Sequence, residues 1–180
     1  HVPGDLITKD EKYWLPLLCL YAGNRLEEFA QLRRSDVRRE NDIWFLDIND
    51  DGDKQIKNEQ SRRKVPLHPE VQRLGFLEYV EATAPLGDAL VFPQLKPGGA
   101  DAKYGHAFTK WWTRYRQDIG LYEAGLDYHS FRHGVTTKLT EASVAAAVID
   151  QLTGHAGTGT SQTIYTKELP LPLLYEAISK

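Results

Sequence analysis

Two short stretches decide how this chain is read: His129-Ser130-Phe131-Arg132-His133 and, on the next element, Leu152-Thr153-Gly154-His155. The first follows Asp127, whose carboxylate can accept the free backbone N–H groups that open a helix. A helix is therefore expected from Tyr128 to about Glu141. Ser143 is expected to cap the next helix, Val144 to Leu152, whose run of alanines favours helix. His129 and His133 stand four apart, on one helix face. A zinc hydrolase of the His-Glu-x-x-His type needs a glutamate after the first histidine, and this chain has Ser130 there. There is no cysteine cluster, so the histidines are not read as a metal site.

Upstream of these stretches, Thr8-Lys9-Asp10-Glu11 reads as a capping box. A helix should follow from about Asp10 to Ala22, with Trp14, Leu17, Leu18 and Tyr21 on one face and Gly23 as its stop. A second helix is expected over Arg25 to Arg33, turning Leu26, Phe29 and Leu32 inward. Ile43 to Ile48 is rich in β-branched and aromatic residues and reads as a strand ending in the turn Asn49-Asp50-Asp51-Gly52. Strands at Lys54–Lys57 and Lys64–Leu67 would complete a small antiparallel sheet. A helix is expected from Pro69 to about Ala82, then a Pro- and Gly-rich loop to Ala100. An aromatic helix through Phe108, Trp111, Trp112 and Tyr115 should end at Gly120. A short helix over Thr160 to Thr166, broken by Pro170 and Pro172, and an apolar segment from Leu173 to Ile178 close the chain. The class is α+β, mostly helical with one small three-stranded antiparallel sheet.

Composition bounds the function. The chain has 180 residues, enough for one domain that folds without covalent staples. Its single cysteine, Cys19, excludes an internal disulfide. No apolar run approaches the roughly 20 residues that span a bilayer, and no signal peptide opens the sequence. There is no methionine, so the chain is expected to be a piece of something longer. Twenty-five acids against 22 bases give a net charge of −3, which taken alone argues against nucleic acid. The charge is sorted, however. Glu40 to Asp53 holds six acids and no base, whereas Lys54 to Lys64 holds five bases and one acid. Sorting of this kind can present a basic face on a nearly neutral molecule. No Gly-rich loop followed by Lys-Ser/Thr offers an ATP site, and no Gly-x-Ser-x-Gly elbow offers a serine hydrolase.

The order of the polar motifs is the specific signal. Gly23-Asn24-Arg25-Leu26-Glu27-Glu28-Phe29 opens a helix after a tight turn. Lys57 and then Ser61-Arg62-Arg63-Lys64-Val65-Pro66-Leu67 lie in the expected sheet, the histidine–arginine helix follows, and Tyr165 comes ten residues after His155. In this order the chain resembles the catalytic domain of the tyrosine recombinases, the phage integrase family. The resemblance rests on Gly23/Arg25/Glu28/Phe29, Lys57, His129/Arg132, Gly154/His155 and Tyr165, and spans Ile7 to the last helix; Phe29 stands where the family usually has an aliphatic residue.

The resemblance implies a site-specific recombinase or integrase that cuts and rejoins double-stranded DNA through a covalent 3′-phosphotyrosine, without metal, ATP or any other cofactor. Tyr165 would be the nucleophile. Arg25 and Arg132 would fork onto the scissile phosphate, as lysine cannot. His155 would donate a further hydrogen bond to it, and His129 would take the tyrosine proton or add a phosphate contact. Lys57, preferred over Lys54 and Lys64 because the Ser-x-Arg-x-Val-Pro-Leu run follows it, would protonate the leaving 5′ oxygen. Glu28 would orient these groups, or form an ordinary helix ion pair. Arg33, Arg62 and Lys64 are the DNA-binding candidates. The family's N-terminal core-binding domain would be missing from residues 1–180. The full-length protein would form a tetramer on DNA while this piece stays monomeric, with the C-terminal segment docking in cis or on a neighbour. The setting would be the bacterial cytoplasm, at the nucleoid. The alternatives are a type IB topoisomerase and a non-catalytic DNA-binding or assembly module of the same fold.

Overall fold

Helix α1, Asp10–Ala22, forms where expected, and its 3.6-residue period puts Trp14, Leu15, Leu18 and Cys19 into the core. Gly23 ends it with φ +68° and Gly23 N donating to Cys19 O at 2.9 Å. A side chain there would be strained by the positive φ, and its Cβ would lie 3.0 Å from Val135 Cβ, which would have to give way. The computed structural model describes residues 10–155 and 168–180, so the expected Thr8 cap and Thr160–Thr166 helix lie outside the described residues.

Helix α2 is Leu26–Ala30, shorter than the expected Arg25–Arg33. The chain leaves it because polar groups beyond Ala30 bond elsewhere. The Gln31 amide pairs with the backbone of Gln55 in both directions (2.7 and 2.8 Å), and Arg33 N donates to Asp36 Oδ2 (2.9 Å). Phe29 and Leu32 are nevertheless buried as expected.

The sheet is antiparallel in the order β1 (Val37–Glu40), β2 (Ile43–Ile48), β3 (Arg63–Pro66). Val37 lies opposite Leu46, and Leu46 opposite Val65, so the apolar faces are in register. Three strands were expected, but one member differs. Val37-Arg38-Arg39-Glu40 carries a single buried residue, as charged edge strands often do, and shows little strand character on its own. It pairs because Asn41 (φ 48°) and Asp42 (φ 64°) accept the left-handed conformations of a two-residue hairpin turn. Lys54–Lys57 is not a strand. Lys54 Nζ reaches the buried Asp36 carboxylate (2.6 Å), and Gln55 is held by Gln31, so this stretch is pinned as a loop.

The expected Pro69–Ala82 helix is two, α3 (Pro69–Arg73) and α4 (Phe76–Thr83), separated where Gly75 takes φ +94°. Helix α5 (Gly105–Asp118) carries the aromatic run. Helix α6 (Tyr128–Glu141) starts as expected, with Asp127 Oδ1 accepting from His129 N at 2.7 Å. Ser143 does not cap the following helix. It takes φ 58° and closes α6, with Ser143 N donating to Thr140 O and Val144 N to Leu139 O, both at 2.9 Å. Helix α7 is therefore Ala146–Thr153. Among the described residues, no helix is long and apolar enough to cross a membrane.

The last helix, α8 (Leu171–Ile178), begins two residues before the expected segment, because Pro172 fits the first turn, where no intrahelical N–H bond is needed. It packs in cis on β2, β3 and α7, burying Leu171, Leu174, Ala177 and Ile178. Leu174→Ala should therefore cost about 2–5 kcal/mol of the chain's own stability. Urea unfolding of the chain checks this; an unchanged midpoint would mean that α8 serves another molecule.

Candidate active site

Four segments far apart in sequence meet at one place: the turn after α1, the start of β3, the second turn of α6 and the end of α7. Arg63, on β3, lies at their centre with its side chain 2% exposed. Its Nη2 donates to Glu28 Oε2 (2.7 Å) and Thr153 O (3.2 Å), its Nη1 to Ser61 O (2.6 Å), and its Nε to Leu152 O (3.2 Å). With its amide oriented to suit its neighbours, Asn24 donates to Ala22 O (3.0 Å) and accepts from Arg63 Nη2 (2.7 Å).

Glu28 connects this buried arginine to Arg25. Its Oε1 accepts from Arg25 Nη1 at 2.9 Å and its Oε2 from Arg25 N at 3.1 Å. Burial pushes the Glu28 carboxyl upward in pKa, and the guanidiniums of Arg63 and Arg25 overcome that, so the net shift is downward. Arg25 then reaches Gly154 O through Nη2 (3.2 Å). Of the two expected readings of Glu28, the helix ion pair is present, and Glu28 makes a second ion pair with Arg63.

Arg132 is 1% exposed. Its Nη1 donates to Gly23 O (3.2 Å) and closely to Thr153 O, and its Nε donates to His155 Nε2 (3.1 Å). Its Nη2 is buried and has no hydrogen-bond partner among the described residues. Burial first, then the charges of Arg25 and Arg63, lower its pKa to about 10, so it remains a cation at neutral pH. His155 Nδ1 lies 2.9 Å from Thr153 Oγ1. Burial and the neighbouring arginines lower the His155 pKa to about 4, so its ring is neutral at pH 7.

His129 sits exposed at the second position of α6, its ring 5.2 Å from that of His133. Partial burial, Arg132 and His133 also lower its pKa. Arg25, Glu28, Arg132 and His155 are thus brought into one bonded cluster. Lys57 is exposed in the β2–β3 connection, outside any strand, and makes no hydrogen bond among the described residues. Tyr165 lies outside the described residues. The three DNA-binding candidates are already paired: Arg33 with Asp53 (2.5 Å) and Asp88 (3.2 Å), Arg62 with Asp50, and Lys64 with Glu40 (2.9 Å).

Sequence reasoning left Arg63 and Thr153 without roles, although both lie inside the quoted motifs. Arg63 alternates with Lys64 on β3, and period 2 sends it inward between Ser61 and Val65, both buried; that was the available signal. Thr153 carried none.

A family profile described as the phage integrase family matches residues 8–170. The chain belongs to the phage integrase family. No curated protein matches it. Among solved structures it is similar to a XerH site-specific recombinase bound to difH substrate in a pre-cleavage complex, with TM-score 0.58 and 22% identity over 87% of this chain and 42% of that one. The post-cleavage XerH complex with palindromic difH gives TM-score 0.58 and 23% identity over 86% of this chain and 41% of that one. XerA recombinase gives 0.55 and 20% over 93% of this chain and 55% of that one. The chain thus spans about two fifths of the XerH length. What it shares with these recombinases is the fold, mixed α+β with a small three-stranded antiparallel sheet.

Two outcomes follow from this packing. Gly154 has φ +70°, and a Cβ on it would lie 2.6 Å from Arg63 Cζ. Gly154→Ala should cost about 1–3 kcal/mol from the backbone alone, and more from displacing the guanidinium; the denaturation midpoint measures it. The second outcome concerns pH. His155 has its ordinary pKa of 6.5 when unfolded and about 4 when folded, so the unfolded chain binds more protons between these values. Its contribution is complete above pH 6.5 and is lost as the pH falls toward 4. Thermal unfolding across that range should show a shallower decline in His155→Gln than in the parent.

Proposed function

We propose that this chain is the catalytic part of a site-specific DNA recombinase, cutting and rejoining double-stranded DNA through a covalent bond from Tyr165 to a 3′ phosphate. The observation that carries the proposal is the buried Nη2 of Arg132, which has no hydrogen-bond partner among the described residues and lies near Arg25. A buried donor left open on a cationic group costs free energy and calls for an anion. Family membership supplies the reaction class, and likeness in fold to XerH and XerA favours strand exchange over topoisomerase activity.

Tyrosine ionises near pH 10, so it needs a positive site or a base in order to attack. The Tyr165 oxygen would form a bond to phosphorus while the bond from phosphorus to the 5′ oxygen breaks. Arg25 and Arg132 would stabilise the charge on the non-bridging oxygens. His129, exposed at the helix start and with its pKa lowered by partial burial and Arg132, is suited to take the tyrosine proton. Lys57, exposed on its loop and without a hydrogen bond among the described residues, would swing in to protonate the departing 5′ oxygen. His155, whose Nε2 accepts from Arg132 Nε and whose Nδ1 lies beside Thr153 Oγ1 in the absence of DNA, would donate a further hydrogen bond to the phosphate. Arg62 and Lys64 can exchange their exposed carboxylate partners for DNA phosphates, whereas Arg33 is a tie between loops. The bond energy kept in the phosphotyrosine makes ATP unnecessary for rejoining. We assign assembly into a tetramer on DNA to the full-length protein, and a monomeric state to this chain alone.

The test is a nicked suicide duplex that traps the covalent protein–DNA adduct. Tyr165→Phe should form no adduct while still binding DNA. Arg132→Lys should lose about 10²-fold or more in rate, because a point charge cannot replace the fork. EDTA should change neither result. Adduct formation by the phenylalanine variant would overturn the proposal.

A further inference from the structure

The Lys57 side chain makes no hydrogen bond among the described residues, but the backbone on both sides of it is held. Downstream, Ser61 folds back on Asn58. Ser61 N donates to Asn58 O and Ser61 Oγ to Asn58 Oδ1, both at 2.9 Å. Ser61 O in turn accepts from Arg63 Nη1, so this side is tied to the centre of the site. Upstream, the Gln31 amide grips Gln55 at both backbone atoms. Gln31 Nε2 donates to Gln55 O (2.7 Å), and Gln55 N donates to Gln31 Oε1 (2.8 Å). A carbonyl only accepts and an N–H only donates, so the two bonds fix the orientation of the amide. Gln31 is 3% exposed, and its side chain has no other hydrogen bond among the described residues. Asp36 adds to the same anchor. Its Oδ1 accepts from Asn49 Nδ2 (3.0 Å), where the chain leaves β2, and from Lys54 Nζ (2.6 Å), next to Gln55.

We propose that Gln31 is a positioning residue for the leaving-group proton, acting through the Gln55 backbone to set the reach of Lys57 toward the scissile phosphate. The same short helix carries both ends of this arrangement: Arg25 stands at the start of α2 and Gln31 at its end. Gln55 and Lys57 are two residues apart, at most about 7 Å along an extended chain. With Gln55 bonded to α2, the lysine therefore starts from a set distance to the helix that presents Arg25. Without that bond, ordering the connection in the transition state would cost conformational entropy in every turnover. The step served is the departure of the 5′ oxygen. As the Tyr165 oxygen bonds to phosphorus, the bond from phosphorus to the 5′ oxygen breaks and its electron pair stays on that oxygen. The oxygen takes a proton from Lys57 Nζ and leaves as an alcohol, and the lysine is left as a neutral amine. This role rests on the proposed recombinase reading; the clamp on Gln55 does not.

The nicked suicide duplex, made once with the ordinary bridging 5′ oxygen and once with sulfur in its place, tests the role. A thiolate leaves without a proton, so the sulfur duplex needs no acid. Gln31→Met keeps the length of the side chain and removes both hydrogen bonds. It should form the covalent adduct about tenfold more slowly than the parent on the oxygen duplex. On the sulfur duplex it should stay within about twofold of the parent. Combined with Lys57→Ala it should be no slower than Lys57→Ala alone, because the clamp acts only through that lysine. An unchanged rate on the oxygen duplex would overturn the role of Gln31. So would an equal loss on both duplexes, which would mean that the residue only supports the fold. Amide hydrogen exchange in the parent chain reads the clamp without any variant. Gln55 N–H should be protected, whereas the amides of Ile56 and Lys57, without hydrogen bonds among the described residues, should exchange faster. An unprotected Gln55 amide would overturn the proposal outright. If the parent forms no adduct on either duplex, the recombinase reading fails, and the catalytic role of Gln31 falls with it even where Gln55 is protected.

Discussion

The ion pair between Arg63 and Glu28, both side chains almost wholly out of water, is the interaction on which the rest of this structure depends. Removing one partner from such a pair typically costs about 3–5 kcal/mol, because the other charge is left buried and alone. Here the loss would not be local. The same guanidinium binds the backbone at Ser61, Leu152 and Thr153, so it joins the sheet, the start of α2 and the end of α7. Glu28 carries that order outward to Arg25.

A second consequence is electrostatic. Arg25, Arg63 and Arg132 come together around one carboxylate, that of Glu28. Like charges so close are costly, and the structure offsets the cost with backbone carbonyls from Gly23, Leu152, Thr153 and Gly154 rather than with more acids. Carbonyl dipoles satisfy the N–H groups without cancelling the positive charge. The excess stays available to an anion, and after burial it is what lowers the pKa of His129 and His155.

Much of this was legible in the sequence. The Asp127 cap gave the start of α6 to the residue, and Gly23 marked the turn after α1 that flanks the site. Spacing alone placed Arg132 and His155 on consecutive elements. Local patterning misled where a residue's choice depended on a distant partner. Arg38 and Arg39 look like loop or helix surface until β2 pairs with them, and Gln55 looks extended until Gln31 claims its backbone. Ser143 resembles an N-cap, yet it closes the preceding helix in a left-handed turn.

By itself, the sequence determined which residue types are present, which of them sit at helix starts and tight turns, and which family they spell out. Those properties depend on neighbours within about four positions, where capping, turn chemistry and periodicity act. Only the tertiary structure decided which arginine is buried as a structural tie and which has a free donor. It likewise decided that Arg33, Arg62 and Lys64 face carboxylates. Hydrogen bonds are short and directional, so partners separated by many residues are chosen by packing and not by spacing.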